Sequence, residues 1–147
     1  MNPAVSNFAF ITLALLAFGA VHAEEPPDIS GKWLSGDGDG WIEIRLAGKG
    51  LSGVIAGSPN ADEDRPDTDE KNPDPALRDR PLVGLQIFDG FEYKGKGRWK
   101  GGTIYDPNSG KTYQCTVTRV DDESLKVRGF IGVSMLGRTE TWTRVRD

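Results

Sequence analysis

The sequence predicts an all-β protein: one antiparallel, barrel-like domain of about eight short strands, with a long acidic loop between early strands. Three observations carry that prediction. Apolar residues recur with a period of two over most of residues 24–147. Clusters of Gly, Asp, Asn and Pro divide those runs at short intervals. No stretch after residue 23 carries a long apolar stripe of helical period.

The first element stands outside the domain. Residues 8–20 are almost wholly apolar, and Val21-His22-Ala23 puts small residues at the two positions a signal peptidase reads. Glu24-Glu25-Pro26-Pro27 follows, polar and stiff. The apolar run falls short of the roughly 20 residues needed to span a bilayer. Residues 1–23 therefore read as a cleavable signal peptide, although residues 1–7 contain no Lys or Arg. That leaves 24–147 as a single domain, expected in the periplasm or secreted. No cysteine follows the run, so lipoprotein processing is not indicated. No later stretch is long and apolar enough for stable membrane insertion after cleavage.

The strands follow in order. Ile42, Ile44 and Leu46 alternate with Trp41, Glu43 and Arg45, and residues 47–50 turn the chain into 51–56. Val83, Leu85 and Ile87 form a short series ended by Asp89-Gly90. Arg98-Trp99 leads to Thr103-Ile104-Tyr105, and Asp106-Pro107-Asn108-Ser109-Gly110 has strong turn chemistry. Tyr113, Cys115 and Val117 share one parity, as do Leu125, Val127, Gly129 and Ile131, and Thr139, Thr141 and Thr143 alternate with Glu140, Trp142 and Arg144. A brief helix is expected near residues 74–79. Residues 58–76 fit no strand and are long for a hairpin connection. Seven carboxylates stand there against Arg65 and Lys71.

Several chemistries are excluded by what is missing. The only histidine, His22, lies in the leader, so the exported chain lacks Ser-His-Asp and Cys-His catalysis and histidine-held metals. Cys115 is the only cysteine and cannot form an internal disulfide; a buried, inert thiol is expected. With 18 basic and 22 acidic residues the net charge is −4, which leaves no electrostatic footprint for nucleic acid. The glycines at 95, 97, 101 and 102 are not followed by Gly-Lys-Ser/Thr, so no phosphate loop and no cofactor are expected. Ser134 misses the Gly-x-Ser-x-Gly nucleophile pattern.

The candidates that remain have competing readings. The acidic loop is a solvated connection, a cover over one barrel mouth, or a calcium site on Asp62, Asp64, Asp67 and Asp69 that lacks the glycine and final glutamate of an EF-hand loop. Arg78 and Arg80 either grip a carboxylate or phosphate ligand, or fasten the loop through nearby acids. Trp41, Trp99, Tyr105, Tyr113 and Phe130 either fill the core or line a cup for an apolar or sugar-like molecule. Trp33 and Arg144 meet if the first and last strands close the sheet, through a cation–π contact. Asp69, Asp74, Asp79, Asp89, Asp106 and Glu140 offer carboxylate chemistry, but no spacing pairs them.

Several stretches resemble a bacterial family of exported proteins, domain of unknown function 2147 (DUF2147). They include Gly31-Lys32-Trp33, Trp41-Ile42-Glu43-Ile44, Asp69-Glu70-Lys71-Asn72-Pro73 and Leu77-Arg78-Asp79-Arg80-Pro81-Leu82-Val83-Gly84. Further along, Trp99-Lys100-Gly101-Gly102-Thr103-Ile104-Tyr105-Asp106-Pro107 and Gly137-Arg138-Thr139-Glu140-Thr141-Trp142-Thr143-Arg144 continue the match. The resemblance implies a small lipocalin-like barrel, with Gly31, Trp33 and Arg144 at its closure and a cup for a small, largely apolar ligand. Fold does not fix function. Many relatives carry two cysteines at the places of Ala47 and Ser52, so the disulfide they imply is not expected here. Three functions follow as expectations: a non-catalytic binder of an apolar or envelope-derived molecule, a structural or protein-interaction module with a filled barrel, and a carboxylate-based hydrolase.

Overall fold

The computed structural model describes residues 19–20, 22–60, 65–132 and 136–147. The strands are β1 (Gly31–Leu34), β2 (Trp41–Ala47), β3 (Gly50–Gly57), β4 (Gln86–Asp89), β5 (Glu92–Tyr93), β6 (Arg98–Asp106), β7 (Lys111–Arg119), β8 (Ser124–Phe130) and β9 (Arg138–Arg144). Every pairing between them is antiparallel, in the order β4-β3-β2-β1-β9-β8-β7-β6-β5. A further pairing of β4 with β6 joins the two ends of that order. Eight strands thus form a closed ring, and no sheet edge is left open along it. Short β5 continues the direction of β4 after a break at Gly90-Phe91 and pairs with the first part of β6, which bulges between Trp99 and Gly102 against β7.

The ring closes because the period-two pattern is kept strand by strand. Register places Trp33 beside Ile42 and Arg144, Ile44 beside Gly53, Phe88 beside Ile104, Trp99 beside Val117, and Leu125 beside Trp142. These side chains share the interior, and Trp33, Ile44, Phe88, Trp99, Val117 and Leu125 are fully buried. One expected strand is shorter than its apolar series. Val83 is exposed and precedes β4, because Gly84 turns with φ +86 and its N–H bonds to Ile55 O.

Successive connections alternate between the two ends of an antiparallel ring. One end is closed. The Trp33 indole N–H donates to Ile29 O at 2.9 Å, and the Arg144 guanidinium lies 4.3 Å from the Trp33 ring. Arg144 also donates to Ser30 O at 2.8 Å and Asp122 O at 2.6 Å, so it ties the segment before β1 to the β7–β8 turn. The connections 35–40, 58–85, 107–110 and 131–137 surround the opposite end, the mouth.

The loop after β3 is folded from residue 65 onward. Thr68 and Pro81 form a bridge, the Asp69 N–H donates to Arg80 O, and the Leu82 N–H donates to Asp67 O. Pro75–Leu77 forms a single 3-10 turn capped by the Asp74 carboxylate, within the segment expected to be briefly helical. The loop rests on the β6–β7 turn. Lys71 Nζ donates to Asn108 O at 3.0 Å, and a Cβ at Gly110 would lie 2.0 Å from Lys71 O. Only glycine fits that approach.

Candidate functional site

The interior is filled from the closed end to its middle. Phe88 stacks on Trp142 with ring centres 5.4 Å apart and an interplanar angle of 11°. Phe91 tilts against Phe88 at 5.1 Å, and Tyr93 against Trp99 at 5.0 Å. Beyond this layer the inward positions become smaller or polar. Ile104, Tyr113, Gly129 and Glu140 follow toward the mouth. Glu140 accepts from the Trp142 indole N–H at 3.2 Å and lies 3.4 Å from Arg138.

A cleft of about 390 Å³ opens at this rim, lined by Tyr113, Gly129, Phe130, Ile131, Leu136, Gly137 and Arg138. Its apolar members are unusually bare: Ile131 is 63 % exposed and Leu136 77 %. Two large apolar side chains thus stand in water beside a concave rim. A second cleft, about 310 Å³, lies beside the β6 bulge between Gly101, Gly102, Thr103, Gln114, Cys115 and Phe130. Cys115 itself is buried, and burial pushes its thiol up to about 12. A thiol of that kind is not a nucleophile at neutral pH.

The aromatic candidates separate by strand parity. Trp99 and Tyr113 face inward, Trp99 within the packed core and Tyr113 at the rim. Trp41 lies on the outer face, where a Cβ at Gly57 would touch its ring and the Lys32 ammonium sits 5.7 Å away. Tyr105 also faces outward and serves the loop. Phe130 borders both clefts from the outer parity of β8. The five do not form one cup.

Arg80 and Arg78 are engaged by the loop itself. Asp69 is fully buried and accepts from Tyr105 Oη at 2.5 Å, Asn72 Nδ2 at 2.8 Å and Arg80 Nε at 2.8 Å. Arg80 also lies 5.7 Å from the Tyr105 ring, and Arg78 Nε donates to Asn72 O at 2.8 Å. Burial alone raises the Asp69 carboxyl. The hydrogen bonds from Tyr105, Asn72 and Arg80, with the Arg80 charge, outweigh it and hold the carboxyl below its ordinary value. Burial and the Asp69 charge in turn push the Tyr105 phenol up to about 12.

Of the calcium candidates, Asp62 and Asp64 lie outside the described residues, as does Ser134. Asp67 is exposed, and both oxygens of Asp69 are taken by the loop network. Among the described residues, no three His, Cys, Asp or Glu side chains gather as a metal site. Among them, too, every carboxyl with a resolved displacement is lowered, namely Glu24, Asp28, Asp69, Asp121 and Glu123. A general acid at neutral pH needs the opposite shift. Sequence reasoning missed Gly129, Ile131, Leu136, Gly137 and Arg138. Ile131, expected to continue the inward parity of Leu125, Val127 and Gly129, instead lies past the end of β8 at Phe130 and is exposed.

A closed antiparallel ring of eight strands, almost without helix, is a lipocalin-like β-barrel. The fold is similar to that of a protein from the human pathogen Helicobacter pylori described as belonging to the lipocalin family. The TM-score is 0.73 at 23 % identity, over 82 % of this chain and 84 % of that one. The model of the family described as "Uncharacterized protein conserved in bacteria (DUF2147)" matches residues 31–144, and the chain belongs to that family. No curated protein matches it.

Proposed function

We propose that the protein is exported to the periplasm or secreted, and that it binds a small, largely apolar molecule at the barrel mouth without transforming it. The mouth cleft carries this reading, through the exposure of Ile131 and Leu136 beside Tyr113 and Phe130. Arg138 adds one cation at the same rim, suited to a polar end on the ligand. A molecule of the cell envelope meets this description. The lipocalin-like fold supports the reading by analogy.

The test is a fluorescence titration with anilinonaphthalene sulfonate, followed by native mass spectrometry of protein taken from its own compartment. Leu136→Glu should weaken the probe about ten-fold, since it removes on the order of 1.5 kcal/mol of apolar contact. Equal affinity in the wild type and the variant would remove the mouth from consideration.

One observation favours a second reading, a protein-interaction module. The deep interior is filled, and Val83, 64 % exposed, adds a third bare apolar side chain at the mouth end. Under that reading native mass spectrometry retains a protein partner and no small molecule.

A further inference from the structure

The folded body begins with a side chain that neither the core nor the mouth uses. Glu24 accepts from the Tyr93 hydroxyl at 2.8 Å, and both its carboxylate oxygens lie 3.1 Å from the Lys96 backbone N–H. The described residues before it, 19, 20, 22 and 23, are exposed and make no hydrogen bond to the barrel.

The turn that receives Glu24 joins β5 to β6 and has unusual geometry. Gly95, Lys96 and Gly97 take φ of +82, +54 and +67 in succession. Lys96 is the only non-glycine residue of positive φ among those described. Successive backbone N–H groups of a turn can form a seat for an anion, and here the Lys96 N–H is the one that meets the carboxylate. The Gly97 N–H donates to Tyr93 Oη at 3.0 Å, so the phenol passes a hydrogen bond on to Glu24. The Lys96 N–H and then the Tyr93 hydroxyl hold the Glu24 carboxyl below its ordinary value.

Two independent observations meet at one peptide bond. The apolar leader and its small-residue recognition triplet end at Ala23, and contact with the barrel starts at Glu24. We propose that a signal peptidase cuts Ala23–Glu24 and that Glu24, then the first residue, is a carboxylate latch seated in the 95–97 turn. The latch rests on the export reading only for the cut. In that step water adds its hydroxyl to the Ala23 carbonyl carbon as the peptide C–N bond breaks. The Glu24 nitrogen takes one proton from that water and one from the new Ala23 carboxyl group, leaving an ammonium and a carboxylate, and nothing is oxidised or reduced. The seated side chain pins segment 24–30, which feeds Ile29 beneath Trp33 and offers Ser30 O to Arg144.

Two measurements test the parts separately. Intact mass of the exported protein should correspond to a chain starting at Glu24; any other start, or a retained leader, overturns the cut. Amide hydrogen exchange is then followed by NMR on recombinant chain 24–147, its Glu24→Ala variant and a chain starting at Pro26. Lys96 should exchange at least about ten-fold faster in both altered chains, while the β7 and β8 amides stay as protected as before. Equal Lys96 exchange in all three overturns the latch, whatever the compartment of the protein. Neither result depends on ligand binding at the mouth.

Discussion

Asp69 shows how one buried residue organises a surface. A carboxylate with no exposure persists only when its oxygens are satisfied, and here a phenol, an amide and a guanidinium do so. Arg80 remains 35 % exposed, which keeps the pair's worth toward the lower end for a buried contact. Asp69→Ala should cost about 2 kcal/mol and lower Tm by roughly 6–10 °C in thermal unfolding. The sign with pH follows from the lowered carboxyl. Its stabilisation is complete above the ordinary aspartate value and is lost as pH falls through the lowered one. The acid limb of a stability profile should therefore flatten in Asp69→Asn relative to the wild type, and parallel limbs would count against the network. The sequence offered Asp69 as a calcium or acid–base candidate, not as the centre of a buried network. Its burial depends on Tyr105, which lies 36 residues away.

At the scale of elements, most of the barrel was legible because alternation is a local property. Ile42, Ile44 and Leu46 announce which face of β2 turns inward, and the register agrees. The same rule was available for the aromatics. Trp41 shares parity with Glu43 and Arg45, and Phe130 with Lys126 and Arg128, so both belonged outside from the start. Tyr113 follows the same rule through Cys115 and Val117, whereas Trp99 was harder to place. The bulge between Trp99 and Gly102 resets parity within β6, and a bulge leaves little trace in a sequence rich in glycine. The loop after β3 was the least legible element. Its order comes from contacts with the β6–β7 turn, 37 residues from Lys71 to Asn108, and composition records no such contact. Gly110→Ala tests that docking. Its Cβ would strike the Lys71 carbonyl, and φ +70 strains any side chain there. Limited proteolysis within 58–85 should quicken several-fold, with a smaller change in Tm because the ring strands are untouched.

On the proposed reading, the whole molecule separates binding from closure by end. In an antiparallel ring, connections after alternate strands share an end, so counting β4 and β5 as one strand places residues 131–137 and 58–85 around one mouth. The opposite end carries the Trp33–Arg144 closure. Arg144 stacks on Trp33 and bonds to Ser30 O and Asp122 O where β1 and β9 share only two register pairs. A lysine keeps the charge but has no planar fork for that seam. Arg144→Lys should therefore lose about 1–2 kcal/mol in urea unfolding yet bind anilinonaphthalene sulfonate as the wild type does. Leu136→Glu should do the reverse, because its side chain already stands in water and its removal opens no cavity. The two variants, measured by both assays, form a crossed test. If Arg144→Lys weakens the probe as much as Leu136→Glu does, the closed end and the mouth are one cooperative site, and the division of labour by end is wrong.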